Sequence, residues 1–168
     1  MVMEDPVLKD YIIGDIVREA AIEKGLECSA EVLGELMFEL REVEGEAVIA
    51  NRMKKKLKDL ISSKVVIEGV RSLAEIEEFK REWVITILAI HTSPKKRFRR
   101  LLLRSRSDDP TTMEMFKERD SKELEIGVGN VISQADIMIV NESSLKTVKK
   151  EVNNKISRWM RFDYKSLC

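Results

Sequence analysis

Four short apolar runs punctuate the chain: YII at 11–13, VVI at 65–67, VITILAI at 84–90 and IMIV at 137–140. They are mostly continuous rather than alternating, the pattern of parallel strands covered on both faces. Between them, apolar positions recur at helical spacing. Val32, Leu33, Leu36, Met37 and Leu40 form one stripe after Ser29, and Val48, Ile49, Met53, Leu57 and Leu60 form the next. Leu145, Val148, Val152, Ile156 and Trp159 share one face of a long helix near the end. Such stripes are core-facing. Strands separated by helices predict an α/β protein with a parallel sheet.

Local signals bound several helices. Asp15 is placed to cap IVREAAIEK, which stops at Gly25. SLAE at 72–75 spells a capping box of Ser72 and Glu75. Pro94 follows Ser93 as a first helical residue.

Composition narrows the class. A chain of 168 residues suffices for one domain, 1–168, with a real core. Hydrophobic residues make up 43%, which excludes a disordered chain. No apolar run approaches the roughly 18 to 20 residues that span a bilayer. MVMEDPVL does not read as a signal peptide, and Cys28 and Cys168 read as reduced thiols, so a cytoplasmic setting is expected. Thirty basic residues balance thirty acidic ones, which argues against nucleic-acid binding by bulk charge. A local basic patch on the 95–106 helix is the weaker alternative. The single histidine, His91, ends a strand and reads as a buried or capping residue. No Cys/His cluster suggests zinc, and no G-x-S-x-G elbow suggests a hydrolase.

The candidate chemistry lies where strands end. VVI runs into Glu68, Gly69 and Arg71, and ligands of open parallel sheets bind beyond the carboxyl ends of strands. A carboxylate there can hold magnesium, a glycine admits a ligand to the backbone, and an arginine fork suits phosphate. YII repeats the logic with Gly14, Asp15 and Arg18. The plainer alternative is a solvated turn, with Asp15 an ordinary cap and Arg18 an exposed helix residue. Further on, Arg97, Arg100 and Arg104 lie near one helical face. Arg106 follows, then DDP, then a helix carrying Arg119. Two arginine-rich helices around a polar turn predict a lid-like insertion at about 104–124.

With GDIVREAA, VVIEGVRSLAEIEEFK, RSRSDD, ERDSKELEIGVGNVISQAD and IMIVNESS in this order, the chain resembles the archaeal P-loop proteins related to adenylate kinase and dephospho-coenzyme-A kinase. The likeness runs from about residue 11 to 152. It implies a three-layer P-loop nucleoside-triphosphate-hydrolase-like fold and ATP-dependent phosphoryl transfer to a nucleotide or nucleotide-like acceptor. Asp15, Arg18 and Arg71 resemble acceptor-binding residues. Glu68 stands where the family often has an aspartate and would organise Mg2+. Arg104, Arg106 and Arg119 resemble lid arginines that neutralise developing charge. Asn141 and Ser143 lie where the adenine base is received.

The family begins with a strand and a G-x-x-x-x-G-K-[ST] loop, and these 168 residues contain neither. Weak ATP binding and little turnover are therefore expected, with a non-catalytic nucleotide-binding or interaction module as the alternative. A sheet without that strand would also expose edges. Those edges would suit a homodimer, or residues 1–10 as a partial replacement.

Overall fold

The computed structural model describes residues 8–58, 64–106 and 109–162. Its elements are β1 (Leu8–Ile12), α1 (Ile13–Glu23), α2 (Ala30–Glu44), α3 (Val48–Leu57), β2 (Lys64–Glu68), α4 (Leu73–Lys80), β3 (Leu88–His91), α5 (Pro94–Arg104), α6 (Met113–Ile126), α7 (Val128–Ser133), β4 (Ile137–Val140) and α8 (Leu145–Phe162). The class is α/β, and no described helix is long and apolar enough to cross a membrane.

Among the described residues the strands do not join into one sheet. β1 pairs in parallel with β2, and β3 pairs in parallel with β4. The chain divides accordingly into two compact units. One runs to Ile85 and takes back Lys122–Val131, while the other holds Thr86–Ser121 and the chain from Ile132 onward. The first seven residues, Leu60, Cys168 and the Trp159 side chain lie outside the described residues.

In the first unit, α1 packs on α2 and α3, and α3 packs on α4. The core gathers Ile13, Ile16, Leu36, Leu40, Ile49, Met53 and Phe79, each at most 3% exposed. Ala21 and Ala50 are fully buried, and their small side chains let neighbouring backbones approach. Ionic contacts add to this packing: Lys54 Nζ lies 2.7 Å from Glu78 Oε1 and 2.6 Å from Glu82 Oε1, linking α3 to α4 and the turn after it. In the second unit, α8 lies on β4. Phe116, Ile139, Val148 and Ala89 are its buried apolar residues.

Several boundaries differ from the sequence reading. VITILAI is a strand only from Leu88. Val84 is 73% exposed, and the Ile87 N–H donates to Asp136 Oδ2 at 2.8 Å instead of to a strand. β1 starts at Leu8, and Ile13 already opens α1. Ile12, in extended conformation, is therefore the N-cap residue, and Asp15 falls within the first turn with no capping bond. The Ser29 hydroxyl does accept the Val32 N–H, and Ser72 and Glu75 form the reciprocal capping box. Of the α8 stripe, Val148 is buried, but Leu145 is 68% exposed. His91 is exposed rather than buried.

Candidate acceptor site and arginine helices

Strand register places the first group of candidate residues. Ile12 pairs with Glu68 at the carboxyl ends of β1 and β2. Because the pair is parallel, whatever follows the two strands leaves from one edge. Gly14, Asp15 and Arg18 follow β1 in the first turns of α1, while Gly69 and Arg71 follow β2. Gly69 sits at φ +85°, a conformation that side-chain-bearing residues rarely adopt, and a Cβ there would lie 3.4 Å from the Ile13 side chain. The turn out of β2 therefore depends on glycine.

The charges at this edge are already partly engaged. Arg18 Nη1 meets Asp15 Oδ1 at 2.6 Å, with both side chains about half exposed. The Arg71 guanidinium forms an ion pair with Glu123 of α6. The Arg71 backbone N–H donates to Glu75 Oε2 at 3.0 Å, as does the Ser72 N–H at 3.3 Å. Glu75 Oε1 accepts from Arg41 Nη2 at 2.6 Å, and this pair is buried. Glu68 is exposed and makes no ion pair among the described residues. Asp15, Arg18, Glu68 and Arg71 thus share one sheet edge. Arg41 and Glu123 are participants the sequence did not announce, because each acts through a partner remote in the chain.

The second unit holds the remaining candidates. Arg97 grips Asp120 with two bonds, of 2.7 and 2.6 Å, and its guanidinium lies 5.1 Å from the Phe116 ring centroid. Phe98 packs on the same ring at 5.5 Å between centroids. Arg104 grips Asp109, with Nε donating at 3.0 Å and Nη2 making a second bond. The Arg106 backbone N–H donates to Asp109 Oδ2 at 3.0 Å. These contacts lower the Asp109 pKa from 3.8 to about 2. The Arg104 bond is the main cause; burial opposes it, and the Arg106 N–H and the charges of Arg104 and Arg119 reinforce it. The three expected lid arginines therefore all act on one carboxylate.

Asn141 and Ser143 follow β4. The Asn141 N–H donates to the His91 carbonyl at 2.7 Å, and its own carbonyl accepts from the Thr92 hydroxyl at 3.3 Å. Ser143 is exposed. The residue between them does more structural work. The Glu142 carboxylate accepts the Ser93 N–H at the start of α5, where Ser93 makes no side-chain cap bond of its own. That bond is the main reason the Glu142 pKa is lowered; burial opposes it, and Lys96 assists.

Among the described residues, no group of three or more His, Cys, Asp or Glu side chains is arranged to hold a metal ion. Magnesium at the β1–β2 edge would have to rely on Glu68, water and a ligand's own phosphate oxygens. No Gly-Lys-Ser or Gly-Lys-Thr sequence occurs in the 168 residues.

A UPF0200 protein of Hyperthermus butylicus is 45% identical over 148 residues, which cover 88% of this chain and 80% of the relative. The chain belongs to the UPF0200 family. A second family member, from Pyrococcus furiosus, is 45% identical over 158 residues, covering 91% of this chain and 84% of its own. A third, from Thermococcus sibiricus, is 42% identical over 151 residues, covering 87% and 80%. These UPF0200 relatives are archaeal, in keeping with the archaeal character of the resemblance. No protein-family model matches the chain.

Proposed function

We propose that this UPF0200 protein binds a nucleotide or nucleotide-like phosphate acceptor at the carboxyl-terminal edge of β1 and β2, on a nucleotide-kinase-like scaffold. The observation that carries this reading is the parallel register of Ile12 with Glu68, which brings Asp15, Arg18, Glu68 and Arg71 to one edge. Arg18 and Arg71 supply guanidinium groups for a phosphate, each now held by a carboxylate that a better anion can displace. Glu68 is the carboxylate left for a hydrated magnesium ion. Two separate parallel pairs also fit a kinase-like sheet without its first strand.

The acceptor half of a phosphoryl-transfer site is what these residues supply. The donor half calls for backbone N–H groups and a lysine around the β- and γ-phosphates, and the chain lacks that loop. Transfer from ATP is therefore expected to be slow in this chain, and no transfer step is assigned to its residues. Arg104 keeps a lid role only if ligand binding draws its guanidinium off Asp109, whereas Arg106 touches that carboxylate through its backbone N–H and Arg119 acts on it by charge, so their lid roles rest on the resemblance. Asn141 and Ser143 keep an adenine role on the strength of the resemblance alone.

Isothermal titration of the 168-residue protein with AMP, CMP, GMP and ATP, with and without magnesium, tests the reading. The expected result is binding of at least one monophosphate that Arg71→Ala weakens, with weaker binding of ATP. No heat from any monophosphate would overturn it, and so would tight magnesium-dependent ATP binding indifferent to Arg71→Ala.

A further inference from the structure

The equal totals of basic and acidic residues hide a division. The first unit holds fourteen Lys and Arg against twenty-one Asp and Glu, a net charge of −7. The second holds sixteen against nine, a net charge of +7. Bulk charge therefore argues against nucleic-acid binding by the chain as a whole, but not by its second unit. Within that unit the charge is ordered. Lys146, Lys149, Lys150, Asn153 and Asn154 fall at i, i+3, i+4, i+7 and i+8 of α8, and all five are exposed. Val148, on the opposite side, is buried. None of the three lysines forms an ion pair among the described residues, and the single acid of the helix, Glu151, pairs with Lys155 at 3.1 Å. Helix α5 contains no acid at all. Its Lys95 and Arg99, one turn apart, are exposed and likewise unpaired among the described residues. Both helices start at the carboxyl ends of β3 and β4, joined there by the Ser93 N–H and the Glu142 carboxylate.

Like charges one turn apart, such as Lys146 and Lys150, destabilise a helix. An exposed face that lacks carboxylates to relieve them points to anions supplied from outside. A stripe of lysines, with two further cations on α5, suits a row of phosphates better than a single one. The asparagines continue the stripe with amides that hydrogen-bond phosphates and base edges. A helix lying on a membrane would show an apolar face there instead. Phe98 and Phe116 pack on each other, so among the described side chains this unit offers no aromatic platform for unpaired bases. An exposed helix face enters the major groove of B-form DNA, whereas the major groove of duplex RNA is too narrow to admit it.

We propose that the second unit binds double-stranded DNA, with the Lys146–Asn154 face of α8 set along the major groove. Lys146, Lys149 and Lys150 neutralise backbone phosphates, Asn153 and Asn154 bond phosphate or base edges, and Lys95 and Arg99 reach neighbouring phosphates. Most of the affinity comes from charge, so binding depends steeply on salt and little on sequence. The proposal does not depend on the nucleotide reading, since it uses none of the same side chains.

The test is fluorescence anisotropy of a labelled, random-sequence DNA duplex titrated with the full chain over a range of salt concentrations. Lys146→Gln/Lys149→Gln/Lys150→Gln should lower the affinity at least about tenfold near 50 mM salt and make the slope of log affinity against log salt shallower by about 2 to 3. Lys9→Gln/Lys55→Gln/Lys58→Gln removes the same charge from exposed positions of the first unit and should bind like the parent. Neither variant should lower the melting temperature, because all six side chains are exposed. Should the α8 variant melt lower, Lys95→Gln/Arg99→Gln on α5 serves instead, with a smaller loss in the same direction. The proposal is overturned if the duplex does not bind near that salt, or if the second-unit variant binds no more weakly than the first-unit one. It is equally overturned if the single strand, duplex RNA or vesicles of phosphatidylserine and phosphatidylcholine in equal parts bind more tightly than duplex DNA.

Discussion

Arg104 and Asp109 face each other across the turn between α5 and α6, guanidinium fork to carboxylate, with the Arg106 N–H on the same oxygen that accepts from Nε. The Asp109 side chain is 3% exposed. Its folded pKa, about 2, lies below its ordinary 3.8. A carboxyl held low in the folded state stabilises the fold above its unfolded pKa and loses that contribution as pH falls through the folded value. Acidification from pH 3.8 through about 2 should therefore release this turn. The measurement is the Arg106 amide resonance followed against pH, with Asp109→Asn as control. A resonance that titrates near the ordinary carboxyl range would refute the assignment.

Glu75 ties three segments together: Arg41 from α2, the backbone at Arg71 and Ser72, and its own helix start. Removing one partner of a buried ion pair typically costs about 3 to 5 kcal/mol, because the other charge stays buried. Glu75→Ala should lose stability on that scale in urea unfolding. Two positions on, Glu77 pairs with Lys80 in solvent, at 65% and 45% exposure. Glu77→Ala should stay within about 0.5 kcal/mol of the parent. Similar losses for both variants would show that burial does not set the difference.

What the sequence revealed was local, and what it hid was remote. IMIV at 137–140 is a strand with the same bounds, because a short apolar run between helices leaves few alternatives. The Ser72–Glu75 box was legible because its partners are three residues apart. The Arg41–Glu75 pair spans 34 residues and the Ser93–Glu142 contact spans 49, and no periodicity encodes either. Apolar character alone also overstated the third strand: Val84 to Ile87 lie outside the β3–β4 register, with only the Ile87 carbonyl accepting from the Ile137 N–H at 3.1 Å, so hydrophobicity marked the neighbourhood and pairing set the bounds. At the candidate site, strand-end chemistry pointed to Asp15, Glu68 and Arg71. The carboxylate that holds Arg71, Glu123, is one of many acidic residues on a charged helix and carried no signal of its own.

Phe116 is 2% exposed and carries both Phe98 and the Arg97 guanidinium on its ring. Phe116→Ala should cost about 3 to 5 kcal/mol through lost burial and the cavity left behind. The same change removes the surface against which Arg97 is oriented toward Asp120. Amide exchange along α5 and the first turns of α6 should therefore accelerate more than exchange in α1 and α3. Uniform acceleration through both units would mean that they unfold as one.

The Arg71–Glu123 pair makes the nucleotide reading quantitative. Both side chains are about 30% exposed, so the pair is accessible and modest in strength. A phosphate that takes over the guanidinium must displace the carboxylate. Charge-assisted hydrogen bonds contribute about 1.5 to 3 kcal/mol each, so Arg71→Ala should weaken monophosphate binding roughly tenfold to a hundredfold. Glu123→Gln removes the competitor and should act in the opposite direction, raising affinity by a few-fold and increasing its dependence on salt, because the Arg71 charge is no longer neutralised before the phosphate arrives. Titration calorimetry of both variants at two ionic strengths separates the outcomes. If Glu123→Gln weakens binding instead, the carboxylate orients Arg71 for the phosphate rather than competing with it, and the displacement model fails.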